Sequence, residues 1–227
     1  MSDINQLISI VIPVFNESES IGFLLDELIN VMSSHNFNFE LIVVNDGSTD
    51  NTHQVLKQLT LKIKELCVIS LRKNYGQTAA MSAGFDNSKG DIVITLDGDL
   101  QNDPNDIPKL ISEINNGYDL ICGWRFDRKD KLLNRKIPSK IANKLIAQVT
   151  GLNFHDYGCS LKAFKKEIID DIKLYGELHR FLPVLANIEG ARIKEVKVNH
   201  RSRQYGSSNY GIDRTFRVLM DLLTVWF

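Results

Sequence analysis

The sequence predicts an α/β fold: a Rossmann-like, mainly parallel sheet flanked by helices, with an amphipathic helix at its C-terminal end. Three observations predict it. Short β-branched runs alternate with amphipathic stretches through the first half of the chain. Those runs are apolar at nearly every position, as strands buried on both faces must be. Polar or acidic residues follow four of the five runs, at the sheet edge where open parallel sheets bind ligands.

Leu7–Val14 (LISIVIPV) is the first strand. Ile21, Leu24, Leu25, Leu28, Ile29 and Met32 then recur every three or four residues, giving one apolar helix face. Asn16 and Glu19 have the spacing of a capping pair ahead of that helix. Phe39–Val44 is the second strand. Ser48–Thr52 is rich in capping residues, and Val55, Leu56, Leu59 and Ile63 form the face of a second helix. A third strand (Leu66–Leu71), a third helix (Gln77–Asn87), a fourth strand (Asp91–Leu96), a fourth helix (Ile107–Ile114) and a fifth strand (Leu120–Trp124) follow. This alternation implies right-handed crossovers. Beyond Trp124 the rhythm breaks. Phe126–Lys140 is basic, with Arg128, Lys129, Lys131, Arg135, Lys136 and Lys140 against Asp127 and Asp130. A helix is expected over Ser139–Val149, a strand over Arg192–Val198 and a polar loop over Gln204–Tyr210. Ile212, Phe216, Leu219, Leu223 and Trp226 mark a final helix.

A length of 227 residues with 43% apolar content suits one large domain and excludes disordered and low-complexity classes. The net charge of −1 conceals a division. Residues 1–122 hold 7 basic and 17 acidic residues, net −10, and residues 123–227 hold 20 basic and 11 acidic, net +9. Such asymmetry points to an anionic partner for the basic half, with solvated surface charge as the plain alternative. Cys67, Cys122 and Cys159 are odd in number and lack C-x-x-C spacing, which fits a reducing compartment. No signal peptide is visible, and no run reaches the ~20 apolar residues of a membrane span. Val218–Phe227 is nevertheless apolar apart from Asp221 and Thr224, which reads as a chain continuing into a hydrophobic segment, with a terminal docking helix as the alternative.

Chemistry is expected after the strands, in PVFNE (13–17), NDGSTD (45–50), LRKNYGQ (71–77), DGDLQ (97–101) and Trp124–Arg125. Neither the dinucleotide G-x-G-x-x-G nor the G-K-[ST] of a P-loop occurs, and the five His are scattered, which argues against zinc. Phosphate would therefore be held by a metal and by basic side chains. Asp97 and Asp99 offer hard oxygen ligands for Mg²⁺ or Mn²⁺, with Gly98 allowing close backbone approach. A surface D-x-D pair is the bland alternative. Asp46 before Gly47 reads equally as a turn residue or as an acceptor for a nucleobase N–H.

As a set, VIPVFNES, VVNDGSTDNT, RKNYGQTAAMSAGF, LDGDLQNDP and DYGCSLKAF resemble the motifs of inverting family 2 glycosyltransferases with the GT-A fold. The resemblance covers residues 7–227 and is nearest to polyprenyl-phosphate glycosyltransferases, such as dolichol-phosphate mannose synthase and the undecaprenyl-phosphate glucosyltransferases. It implies that Pro13, Phe15, Glu17 and Asp46 hold base and ribose. It implies that Asp97 and Asp99 hold metal and donor diphosphate, with Gly98 and Gln101 beside them. Arg125 and Arg135 match arginines facing phosphates, and Asp156 an acidic residue near the acceptor. Arg201 and Arg203, ahead of Gly206–Tyr210, match a basic loop over the donor. The pattern departs from the family at Asn45, often Asp, and at Asn209, often Lys.

The implied domains are a catalytic unit over 1–210 and an amphipathic juxtamembrane helix over 211–227, cut before transmembrane helices. The implied partners are a UDP- or GDP-linked sugar, a polyprenyl phosphate and the cytoplasmic face of a membrane. No nucleic acid is expected, and homo-oligomerisation stays open. A soluble transferase acting on polysaccharide or protein hydroxyls is the alternative. A phosphohydrolase using Asp97 as nucleophile is disfavoured because Gln101 stands where one such group has Thr.

Overall fold

The computed structural model describes residues 6–126 and 152–205. The expected Ser139–Val149 helix, the 206–210 loop, the final helix and Arg135 lie outside these residues. The elements in chain order are β1 (Leu7–Val14), α1 (Ile21–Ser34), β2 (Asn38–Asn45), α2 (Thr52–Leu59), β3 (Leu66–Ser70), α3 (Gln77–Asp86), β4 (Ile92–Thr95), α4 (Ile107–Asn115), β5 (Leu120–Arg125), β6 (Lys162–Lys165), α5 (Lys166–Asp171), α6 (Leu182–Ile188) and β7 (Ile193–Val198). Single 3₁₀ turns precede α4 (Pro104–Asp106) and α6 (Leu178–Phe181).

One seven-stranded sheet has the order β3-β2-β1-β4-β6-β5-β7. β1 pairs in parallel with β2 and β4, β2 with β3, and β5 with β7. β6 is antiparallel to both of its neighbours, so β5 runs in the same direction as β4. The sheet is therefore mainly parallel, as expected, with one reversed strand near its middle. That strand is four residues long and reads KAFK, too short to stand out as a periodic run.

The near-continuous apolar strands are explained by burial on two faces. Ile8, Ile10, Ile12 and Val14 of β1 pack with Leu24 and Leu28 of α1, Leu56 of α2 and Leu110 and Ile114 of α4. Val11, on the alternate side, packs with Ile42, Val93, and Ala80, Met81 and Phe85 of α3. Helices cover both layers, as parallel pairing requires. Ile63 lies beyond α2 yet still joins the first cluster, so its apolar signal was right while the helix ended earlier. Asn16 does not cap α1. Its φ is +58°, and its side-chain oxygen accepts from the N–H groups of Thr49 at 2.8 Å and Asp50 at 3.3 Å, tying the β1 loop to the β2 loop. The helix begins instead after Ser20, whose hydroxyl donates to Glu17 Oε2 at 2.6 Å.

Among the described residues no helix is long and apolar enough to cross a membrane.

Phe164 is fully buried on β6 and meets the Phe85 ring edge-on at 6.1 Å. Phe164→Ala should destabilise the fold by about 3–5 kcal/mol. Urea unfolding measures this, and a loss below ~1 kcal/mol would show that β6 is peripheral to the core.

Candidate active site

All strands except β6 end at one edge of the sheet, and β6 begins there. Phe15 and Glu17 follow β1 at this edge, Asp46 follows β2, and Asp97–Gln101 follows β4. Arg125 ends β5, Asp156 lies on the path into β6, and Arg201 and Arg203 follow β7. Pro13 lies within β1, half-buried and paired with Val44. The described candidates therefore share one edge, although the chain separates them by nearly two hundred residues.

The loops at this edge are sewn together by side-chain-to-backbone hydrogen bonds. Asp46 accepts from the N–H groups of Tyr75 (2.7 Å) and Gly76 (2.8 Å), one on each oxygen. Gly47, at φ +65°, lets that loop cross directly over it; a Cβ there would lie 2.3 Å from the Lys73 carbonyl carbon. Asp46 thus holds the 73–76 loop down, and Gly47 makes room for it. Glu17 N–H donates to Thr52 Oγ1 at 2.9 Å, and Ser18 N–H to Asp50 at 3.2 Å.

Asp97 and Asp99 sit in a tight turn. Leu100 adopts φ +63°, a conformation that costs a non-glycine residue ~1 kcal/mol or more. Asp99 Oδ1 accepts from Gln101 N–H at 3.1 Å, and its Oδ2 is paired with Arg203 Nη2 at 2.7 Å. Arg203 also lies 3.8 Å from Glu17. Gln77 donates to Asp97 Oδ1 at 2.8 Å, and Asn102 Oδ1 accepts from Asp97 N–H at 3.2 Å. Burial pushes the Asp97 carboxyl above the usual carboxylate range, and the Asp99 charge adds to this, against Ser160, Arg125 and Lys162. Glu17 is likewise raised, chiefly by burial, against its Ser20 hydrogen bond and Arg203.

A nearby cation would offset the negative charge that Asp97 and Asp99 place on this turn. Among the described residues no group of three or more His, Cys, Asp or Glu is arranged to hold a metal. The pair Asp97 and Asp99 nevertheless fits a Mg²⁺ or Mn²⁺ ion of the kind that takes one or two carboxylates and leaves its other positions to substrate phosphates. The donor set is all hard oxygen, on a turn fixed at the end of a buried strand.

Arg125 and Asp156 form a bidentate pair, with Nε–Oδ2 at 2.6 Å and Nη2–Oδ1 at 2.8 Å. Burial opposes the charge on Arg125, but the hydrogen bonds and charge of Asp156 outweigh it and hold the guanidinium protonated. Glu195 of β7 positions the loop, accepting from the N–H groups of His155 (2.9 Å) and Asp156 (3.1 Å). Arg201 pairs with Glu27 at 2.7 Å and Asp103 at 2.8 Å, and its carbonyl accepts from Gln101 Nε2 at 3.4 Å.

Residues that sequence reasoning left without a role also reach this edge. They are Gln77, Asn102, Ser160, Lys162 and His179, the last joined to Thr78 Oγ1 at 2.7 Å. Gln77 had a signal, since it closes the LRKNYGQ segment after β3. Lys162 lay within the DYGCSLKAF motif but drew no role, because only the reversed strand carries it to the site.

The family model for Glycosyl transferase family 2 matches residues 9–173. The chain belongs to glycosyl transferase family 2. This glycosyltransferase is 49% identical over 224 residues to a dodecaprenyl-phosphate galacturonate synthase of Rhizobium johnstonii, covering 97% of this chain and 66% of that protein. It is 41% identical over 218 residues to an undecaprenyl-phosphate 4-deoxy-4-formamido-L-arabinose transferase of Proteus mirabilis, covering 96% and 67%. The chain thus spans about two thirds of the length of these relatives. Crystal structures of glucosyl-3-phosphoglycerate synthase from Mycobacterium tuberculosis share its fold. The complex with Mn²⁺ and UDP-glucose has a TM-score of 0.74 at 20% identity, covering 97% of this chain and 79% of that one. The complex with Mn²⁺, UDP and phosphoglyceric acid has a TM-score of 0.76, covering 98% and 79%. The fold is GT-A.

The side chains of Arg125 and Asp156 are only 13% and 9% exposed, which puts the pair in the buried regime. Asp156→Ala strands a buried guanidinium and should cost about 3–5 kcal/mol in urea unfolding. A loss under ~1 kcal/mol would mean that water already screens the pair. Burial pushes the Cys122 thiol up to about 12 and the Cys159 thiol up to about 11, whereas Cys67 is exposed. A thiol reagent at pH 8 should therefore modify one cysteine of three in the native protein and all three after unfolding. Native modification of Cys122 or Cys159 at the rate of Cys67 would contradict this burial.

Proposed function

We propose that this glycosyltransferase moves a sugar, with inversion, from a nucleotide-sugar to the phosphate of a polyprenyl phosphate at a membrane surface. One observation carries the reading: a single sheet edge joins the Asp97–Asp99 turn to the buried Arg125–Asp156 pair, in a chain nearly half identical to a dodecaprenyl-phosphate galacturonate synthase over 97% of its length. The second relative is named for transfer to undecaprenyl phosphate. The acceptor class is common to both, and the sugar is not.

The state of Asp156 favours a phosphate acceptor over a hydroxyl. A sugar or protein hydroxyl needs a general base, and a carboxylate clamped by a guanidinium on both oxygens is a poor one. A phosphate monoester has its second pKa near 6, so it is already mostly dianionic at pH 7 and needs no base. Asp156 then orients Arg125 at the end of β5. Glu17 and the 45–50 loop form the nucleoside side of the site, and Asp97 and Asp99 the diphosphate side. When bound there, a divalent ion would supply the charge that stabilises the leaving nucleoside diphosphate. Arg203 covers Asp99 from the β7 side and Arg201 fixes the same loop, so both stand where a donor enters. Arg135 lies outside the described residues and is assigned to the phosphates by resemblance.

The test is transfer of radiolabelled sugar from UDP- and GDP-sugars to polyprenyl phosphate in detergent, read by partition into organic solvent. Chelation should abolish transfer, and Mn²⁺ or Mg²⁺ should restore it. Asp97→Asn and Asp99→Asn should each lower turnover about a hundredfold or more, because charge stabilisation of several kcal/mol is removed. Label that stays with a water-soluble product would overturn the lipid acceptor.

A further inference from the structure

Gln77 and Thr78 open α3, and each is tied to a distant element. Gln77 Nε2 donates to Asp97 Oδ1 at 2.8 Å, and Thr78 Oγ1 meets His179 Nδ1 at 2.7 Å. The second bond forms in either imidazole tautomer, because a hydroxyl both donates and accepts. Both of its partners are buried, Thr78 to 3% exposure and His179 to 8%. A buried bond of this kind fixes geometry, because breaking it leaves a polar atom without water to turn to. Gln77, Asp97 and His179 border one narrow cleft, together with Lys162 and Arg180.

His179 is itself firmly seated. It stands in the 3₁₀ turn whose Leu178 and Phe181 pack with Tyr157 and Val184. The body of α3 is fixed elsewhere. A Cβ at Gly84 would lie 2.2 Å from Val11 Cγ1, so the helix lies directly against β1. The first turn of α3 is held at two further points: Gly76 N–H donates to Asp46, and Thr78 is bonded to His179. His179 therefore sets the pose of that turn, and the turn carries Gln77 to Asp97. We propose that His179 is a positioning residue for the donor end of the site: through Thr78 and the first turn of α3 it keeps Gln77 on the Asp97 carboxylate, and so keeps that carboxylate oriented for a divalent ion and the donor diphosphate. The inference rests on the reading of the Asp97–Asp99 turn as the ion-holding part of the site. Removing a group that orients a metal-ligating carboxylate typically weakens metal binding about 10–100-fold.

The experiment uses the full chain and reads Mn²⁺ binding in the presence of UDP, from the electron paramagnetic resonance signal of free Mn²⁺. His179→Ala and Thr78→Val should each weaken this binding about tenfold. His179→Asn, which can place an amide where Nδ1 stood, should recover part of the loss. In a Gln77→Ala background the loss from His179→Ala should fall below about twofold, because the two residues act in series. Leu110→Ala, on the buried face of α4, should lower the unfolding midpoint and leave Mn²⁺ binding unchanged, which separates lost stability from lost positioning. Thr78→Val decides if His179→Ala does not fold. In the metal-free protein the Gln77 side-chain amide resonance, identified by its absence in Gln77→Ala, should shift on His179→Ala. Unchanged Mn²⁺ binding in His179→Ala and Thr78→Val, or an equal loss with and without Gln77, overturns the positioning role. Unchanged binding in Asp97→Asn would instead refute the ion-holding turn, and the Gln77 resonance then decides the positioning by itself.

Discussion

The antiparallel pairing of Lys162–Lys165 between β4 and β5 is the constraint on which the site depends. Six strands share one direction, so six strand ends open onto one edge. The seventh contributes the opposite end. Its reversal brings Asp156, Ser160 and Lys162 to the edge where Asp97 and Arg125 already stand. With parallel pairing, the DYGCS segment would lie on the far edge, more than ten ångströms from the carboxylates it faces. The cost is small, because antiparallel ladders are at least as stable per residue as parallel ones. Phe164 anchors the strand in the core.

Electrostatics sets the next level. The acidic first half of the chain and the basic second half meet at this edge, where Arg203 contacts Asp99 and Arg201 contacts Glu27 and Asp103. Among the described residues, charges of the two halves therefore pair in space. Within the site the pairs differ in kind. Arg125 and Asp156 are nearly closed to water and hold each other in register. Arg201 and Arg203 are more exposed, and they follow β7 where donor phosphates would compete for them. Rigid pairing lies deep in the site and exchangeable pairing near its entrance, as expected where an anionic substrate must enter and leave.

Much of this was legible in the residues. β1 matched its predicted limits, and the other strands of the first half fell within a residue or two, because two-sided burial leaves an apolar run without interruption. The D-x-D turn was recognisable from its place after DIVITL. Asp46 was balanced between turn and ligand, and the structure puts both of its oxygens on the 75–76 backbone, a contact set by a loop about thirty residues away. Asn16 had the spacing of a cap and became a loop clasp instead, because the β2 loop offered it two N–H donors. Gln77 and Lys162 lay within recognised segments, but their contacts, like that of His179, depend on neighbours distant in sequence.

The sequence by itself determined the elements of the first half, the two-faced burial of their strands, the edge where the candidate residues gather and the family. These follow from periodicity, turn chemistry and motif spacing, which are local. Only the tertiary structure decided that β6 runs backwards, that Arg125 and Asp156 clamp each other, and that Lys162 and Arg180 face a cleft beside Asp97. Strand direction and charge pairing are fixed by contacts between segments tens of residues apart, and a linear pattern carries no record of which segments will meet.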